Sequence, residues 1–409
     1  MIVGVGNPAA SARSERQQAP HSRVNNPLTE VPLELLHQRR SHKWRNFPSD
    51  VLPMFVAEMD TPLAPPVLAV LTEALQRGDT GYQNPNGLPE AFAGFTDRHF
   101  GWAPDPGHMI VVPDVLRGIS EVLRMVTSPG AGVVLNTPIY APFLTLIPEI
   151  GRRVVPSPLQ RAVDGSYGYD LDALDRDLAR DGVEALLLCN PHNPTGLVPT
   201  PTELATIAEI AHRHGVRVLS DEIHAPLVYP GHRHTAFATV PSPAADEAII
   251  FGSASKAFNL PGLKAALAVA GGDGAWRVLR SLPPDVPFGA GLLGVIAGEV
   301  AFSAGDAWLE ALVRGLDANR MLLADLLARH APAVGYVPPQ ATFLAWLDLR
   351  ALGLGDDPAA TLLERGRLAL ASGPSFGPEG RGFARLNFAT HPELLTQGVG
   401  RIAAPAADR

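Results

Sequence analysis

The stretch IIFGSASKAFNLPGLK, residues 249 to 264, places a lysine where its chemistry can change. Its apolar run, Ile249, Ile250 and Phe251, reads as a strand and delivers the chain into Gly252, Ser253, Ala254 and Ser255 just before Lys256. An ammonium at the end of a buried strand, beside side chains too small to shield it, is costly to desolvate and inclined to lose its proton. The neutral amine is a nucleophile that can form a Schiff base with an aldehyde. Lys264, following Pro261 and Gly262, brings a second cation back toward Ser253 and Ser255. Two hydroxyls and an ammonium make a cradle for a phosphate. Taken alone, Lys256 reads instead as a solvated lysine in a loop after an edge strand.

Four other stretches change that reading: TPIY from Thr137 to Tyr140, NPHNPTG from Asn190 to Gly196, SDEIH from Ser220 to His224, and RLNFAT from Arg385 to Thr390. Together and in this order they resemble the fold-type I pyridoxal phosphate (PLP) enzymes of the class I/II aminotransferase superfamily. KWRNFPSDVLPMFVAEMD, from Lys43 to Asp60, and the DEIH form of the aspartate motif are similar to the cystathionine β-lyase branch that includes MalY and PatB. The resemblance covers roughly residues 30 to 395. It implies an α/β fold of the aspartate aminotransferase type, with a large domain built on a mostly parallel wound sheet and a smaller α+β C-terminal domain. The expected division is a flexible tail over residues 1–27, an N-terminal segment over 28–60 packing with the small domain, a large PLP-binding domain over 61–300, and the small domain over 301–409.

Each candidate residue has a role in that scheme. Lys256 carries the cofactor and moves the proton at the substrate Cα. Asp221 leaves a strand after Val218 and Leu219, where a lone buried carboxylate needs a partner; a protonated pyridine nitrogen supplies one and keeps the ring an electron sink. A helix cap is the competing explanation for Asp221. Tyr140 stacks on the cofactor ring or packs in the core. Asn193 donates to the phenolic oxygen, and His224 stands near it where many aminotransferases carry tyrosine. Ser253, Ser255, Lys264 and the backbone of Val115 and Leu116 meet the phosphate. The resemblance also implies that Tyr82 reaches the phosphate of a neighbouring subunit, which makes the enzyme a homodimer.

An arginine fork matches a carboxylate bidentately, and the resemblance gives Arg385 the grip on the α-carboxylate of an amino-acid substrate. Arg381 is a nearby competitor, and an interdomain salt bridge is the plain alternative for Arg385. The backbone near Ala57 helps to hold the same carboxylate, and Glu58 stands where relatives often have Asp. Sharp bends, with a cis bond possible, are expected at Thr137-Pro138 and Asn193-Pro194.

These residues need strands to present them. Apolar runs without alternation end just before each group: Met109 to Val112, Val133 to Asn136, Val183 to Cys189, Val216 to Leu219 and Ile249 to Phe251. Such runs suit strands buried on both faces of a sheet covered by helices, and ligands bind at the carboxyl ends of those strands. Helical spacing marks Pro32–Arg40, Val67–Gln76, Val115–Val126, Pro201–His214 and Gly315–Leu327. A free backbone N–H turn before Val115 offers an anion site. Val51–Ala57 reads as a compact strand, Ala341–Leu349 as a strand of the small domain, and Gly78–Phe92 as an exposed loop.

With 409 residues, 46% of them hydrophobic, the chain can bury a large core. A net charge of -8 argues against a nucleic-acid binder. Cys189 is the only cysteine, so no intrachain disulfide forms, and its apolar surroundings read as a buried strand. Phe288 to Phe302 is too short to span a bilayer, and the first thirty residues lack a secretory pattern. No trusted metal pattern emerges from His212, His214, His232 and His234. The reading is a soluble cytoplasmic PLP enzyme acting on a small amino acid, without metal, membrane or nucleic acid. The reaction read here is carbon–sulfur β-lysis to thiol, pyruvate and ammonia, with transamination as the alternative. A PLP-binding regulator acting through partner contact is a third possibility.

Overall fold

The computed structural model describes residues 25–407 apart from Asn86. The tail expected over residues 1–27 lies outside the described residues up to position 24; Pro27 and Leu28 are already buried in a short 3₁₀ turn.

Seven strands form the central sheet: β1 (Met109–Val112), β2 (Gly132–Leu135), β3 (Arg153–Pro156), β4 (Val183–Cys189), β5 (Arg217–Asp221), β6 (Ile249–Gly252) and β7 (Ala266–Ala270). Their spatial order is β1-β7-β6-β5-β4-β2-β3, and only β7 runs against its neighbours. Val133, Leu135, Leu187 and Phe251 belong to one apolar layer, Val134, Leu186, Leu188 and Ile250 to the other, so both faces are covered. That is why these strands read as unbroken apolar runs.

Crossover helices start on strong local signals. Thr200 caps Pro201–Arg213 in a reciprocal capping box with Glu203, and proline at the first turn costs no hydrogen bond. The helix Leu88–Phe100 begins inside the stretch expected to be a loop, with Phe92 buried against Trp102 and Phe302. Burial of the Phe92 and Phe95 face outweighs the turn-forming composition of the residues before it.

A second, three-stranded antiparallel sheet is ordered β8 (Leu344–Asp348), β10 (Phe383–Asn387), β9 (Ala371–Ser372). Asp306–His330, which bends by 83° from Leu292–Ala304, packs on Pro392–Ala407 and ties its Asn319 amide to the Phe388 carbonyl just past β10. Among the described residues no single helix is long and apolar enough to cross a membrane.

The expected strand over Val51–Ala57 shrinks to Leu52–Pro53, paired in parallel with Leu368–Ala369. Beyond it the carbonyls of residues 55 to 59 accept hydrogen bonds from distant side chains instead of a ladder. The short helix expected over Pro32–Arg40 is likewise reduced to Leu33–Leu36.

Candidate active site

The strands β1, β2, β4, β5 and β6 all release the chain at one end of the sheet, around a cavity of about 170 Å³. It brings together Lys256, Asp221, Tyr140, Asn193, His224, Ser253, Ser255, Lys264, Val115, Leu116 and Ala57. Ala57 and Lys256, 199 positions apart in sequence, therefore share one pocket.

Lys256 lies in a short helical turn, Ala254–Ala257, capped by Ser253, whose hydroxyl accepts from the Ser255 N–H and donates to the Ala265 carbonyl. Its Nζ donates to the Ala57 carbonyl at 3.0 Å. Burial pulls the ammonium down to about 8, with the positive charge of Arg385 acting the same way and Asp221 opposing. Near pH 7 roughly a tenth of the amine is thus neutral and nucleophilic, far more than for an ordinary lysine.

Asp221 is the last residue of β5, which runs two residues past the end expected at Leu219. Its Oδ1 accepts from the Ile223 N–H at 3.1 Å. Burial pushes its carboxyl up to about 7, against the pull of that N–H and of Lys256. A carboxylate this short of partners suits a cationic ring nitrogen. His224 is buried, its Nδ1 finds no partner among the described residues, and burial first, then the charges of Lys256 and Arg385, hold it neutral down to about 3. Tyr140 precedes the helix Ala141–Glu149, with its ring edge-on to Phe143, and burial raises its phenol.

At the far end, Asp114 caps Val115–Val126 by accepting from the Arg117 N–H at 2.8 Å, which leaves the first N–H groups of that helix for an anion. Lys264 adopts a left-handed backbone, φ 59°, that turns its ammonium back to Asp114 at 3.0 Å.

Arg385 sits in β10 opposite Trp346. Its guanidinium donates to Asn193 Oδ1 at 3.0 Å and to the Phe55 carbonyl at 3.1 Å, and lies over the Phe376 ring at 4.9 Å. It is buried without a carboxylate partner among the described residues, its Nε is unpaired, and burial lowers it to about 10. Arg381, by contrast, is mostly exposed and faces Asp356 at 4.0 Å. Tyr82 is 87% exposed, edge-on to Phe288, and does not line the cavity of its own chain.

The cavity also includes Cys189, read from the sequence only as a buried strand residue, and Ile223, given no role of its own within SDEIH. The Cys189 thiol donates to the Pro191 carbonyl and accepts from the Asn193 N–H, and burial raises it. Its strand-end position was the available signal. Asn387 was missed as well; its amide donates to the carbonyls of Val56 and Glu58 and fastens the wall that carries Ala57. The peptide bonds Thr137-Pro138 and Asn193-Pro194 are cis, as is Asn190-Pro191.

Residues 50–402 match the family described as aminotransferase class I and II. The chain belongs to that family. A Mycobacterium tuberculosis relative is 46% identical over 94% of this chain and 100% of its own length. The cystathionine beta-lyase of Corynebacterium glutamicum is 36% identical, covering 91% of this chain and 98% of its own. The PLP-bound C-S lyase from Staphylococcus hominis superposes with a TM-score of 0.85 at 26% identity, over 94% of this chain and 99% of that one. The half-buried amine with its lowered pKa, the partner-poor carboxyl and the helix terminus form a donor set that fits PLP, the cofactor of these enzymes.

Proposed function

We propose that this chain is a PLP-dependent carbon–sulfur β-lyase, converting a cysteine S-conjugate or a cystathionine-like amino acid and water to a thiol, pyruvate and ammonia. The observation that carries it is the meeting of Lys256, Asp221 and Asn193 in one cavity, with Arg385 bonded to Asn193 behind its wall. The lyase relatives decide between outcomes that the same groups could serve.

When bound, the cofactor supplies an electron sink for negative charge at the substrate Cα. Asp221 holds a proton at the ring nitrogen, and Tyr140 covers the ring face. Asn193 turns its amide oxygen to Arg385, which leaves the NH₂ end to donate toward the phenolic oxygen. His224, held neutral, adds no positive charge there. Ser253, Ser255, Lys264 and the N–H groups of Val115 and Leu116 hold the phosphate. Arg385 grips the substrate carboxylate with help from the backbone at Ala57.

Lys256 moves the Cα proton, and loss of the thiolate from Cβ follows. A base positioned this way is typically worth about 10² to 10⁴ in rate. We also infer a cytoplasmic homodimer in which Tyr82, exposed on one subunit, completes the phosphate site of the other.

The test is incubation with cystathionine or a cysteine S-conjugate in the absence of any 2-oxo acid. Continuous release of pyruvate and thiol supports the lyase. A single stalled turnover, restored by adding a 2-oxo acid, overturns it in favour of transamination.

A further inference from the structure

Five consecutive carbonyls, Phe55 to Met59, all accept from side chains that come from elsewhere in the chain. Phe55 accepts from Arg385 at 3.1 Å, Val56 from Asn387 at 2.8 Å and Ala57 from Lys256 at 3.0 Å. Glu58 accepts from Asn387 at 2.6 Å and Lys43 at 3.1 Å, and Met59 from Asn259 at 2.8 Å and Arg39 at 3.1 Å. Two of these donors, Arg385 and Lys256, are the groups that would hold the substrate. The segment therefore sets the spacing between the carboxylate grip and the reacting amine.

What sets the segment itself is a buried ion pair. Lys43 Nζ lies 2.7 Å from Asp60 Oδ2, both side chains 1% exposed. Trp44 Nε1 donates to Asp60 Oδ1 at 2.9 Å, and the Asp60 N–H donates to the Ala389 carbonyl at 2.9 Å, just past β10. Lys43 thus ties Asp60 at one end of the loop to the Glu58 carbonyl within it. The pair touches neither the cavity nor Arg385. It also sits at the two ends of the KWRNFPSDVLPMFVAEMD stretch, where no catalytic group stands.

We propose that Lys43 and Asp60 are positioning residues for substrate binding: their buried pair fixes the 55–59 segment at the offset from β10 and Lys256 that recognition of the amino-acid α-carboxylate requires. This rests on the lyase reading for its substrate class. The physical reason is that a carbonyl ladder with no strand partner has no register of its own. Its position is inherited from whatever clamps its ends, and an offset near 1 Å is enough to spoil a two-point grip.

The experiment uses the PLP-loaded protein and three variants, Lys43→Met, Lys43→Arg and the double replacement Lys43→Met/Asp60→Leu. KM for a cysteine S-conjugate is compared with kcat. The affinity for L-alanine, which presents the same carboxylate and amine without a leaving group, is read from the cofactor absorbance. Lys43→Met should raise KM and weaken L-alanine by about tenfold or more, the worth of one charged hydrogen bond, with kcat within about threefold. Lys43→Arg should recover part of that loss, since a guanidinium reaches both acceptors. The double variant leaves no unpaired buried carboxylate, though it strips the Trp44 Nε1–H of its acceptor; it should regain part of the thermal midpoint lost in Lys43→Met and keep the binding defect.

A double variant that is stable and binds L-alanine with wild-type affinity overturns the proposal, leaving the pair a purely structural one. Wild-type protein that binds L-alanine but never cleaves a thioether sinks the lyase reading and leaves the L-alanine comparison intact.

Discussion

Arg385 donates to the side-chain oxygen of Asn193 across 192 residues of sequence at 3.0 Å. One amide therefore faces the substrate grip with its oxygen and the cofactor pocket with its nitrogen, so the two recognition events share a part. Asn193→Ala should weaken both the L-alanine affinity and the retention of PLP. Arg385→Lys, which keeps the charge and loses the fork, should cost roughly 10- to 100-fold in kcat/KM. Kinetics on a cysteine S-conjugate together with equilibrium dialysis of the cofactor check both. An Arg385→Lys enzyme within about twofold of wild type would contradict the assigned grip.

Desolvation in the pocket, and then the charge of Arg385, lower the Lys256 ammonium to about 8. The fraction of neutral amine rises with pH through that value, so uptake of PLP by apoprotein should speed up between about pH 7 and 9 and then level off. Stopped-flow absorbance reads the rate. A midpoint close to that of an ordinary lysine would mean the amine is solvated.

Asp221 contributes to stability with the opposite sign from a salt-bridged carboxylate. Its carboxyl sits near 3.8 when unfolded and about 7 when folded without a cation against it. The folded state then binds the proton more tightly, so stability falls as pH rises from 3.8 to about 7 and is flat above. In apoprotein, Asp221→Asn removes that loss, roughly 4 kcal/mol at most. Urea midpoints at pH 5 and pH 8 should show the variant gaining on wild type as pH rises. The same change should abolish most pyruvate release, because Asn cannot keep a ring nitrogen protonated.

Gly196 closes the NPHNPTG stretch with φ at +71°, and a Cβ there would fall 2.9 Å from the Ala341 carbonyl. Its own carbonyl accepts from the N–H groups of Gln340 and Ala341. Gly196→Ala combines a strained backbone with overpacking and should cost about 1–3 kcal/mol, measured by urea unfolding. Neutrality would mean that the 193–197 turn yields freely.

The wound sheet was legible because its strands are buried on both faces and its helices are long and periodic. Met109–Val112 and Val115–Val126 were read at their observed limits, and the site residues at the strand ends came with them. Leu52–Pro53 was overextended because an apolar run such as VLPMFVA carries a strand's composition. What the pattern could not hold is the identity of its donors, which arrive from 199 to 331 positions away. Cys189 was read as a strand residue and is one, yet its position as the last residue of β4 also puts it in the cavity wall. Tyr82 is the opposite case. Its proposed partner belongs to another copy of the chain, and no contact within one subunit can reveal it.

The 3.0 Å pairing of Lys264 with Asp114 carries one more implication, for how the phosphate is retained. Because that cation is already matched by an anion on the same rim, the phosphate end offers little surplus positive potential. Retention then rests mainly on directional donors, the Ser255 hydroxyl and the first N–H groups of the helix, with the Lys264 ammonium shared between Asp114 and the phosphate. Added salt, which screens charge and leaves short hydrogen bonds largely intact, should therefore loosen the coenzyme very little.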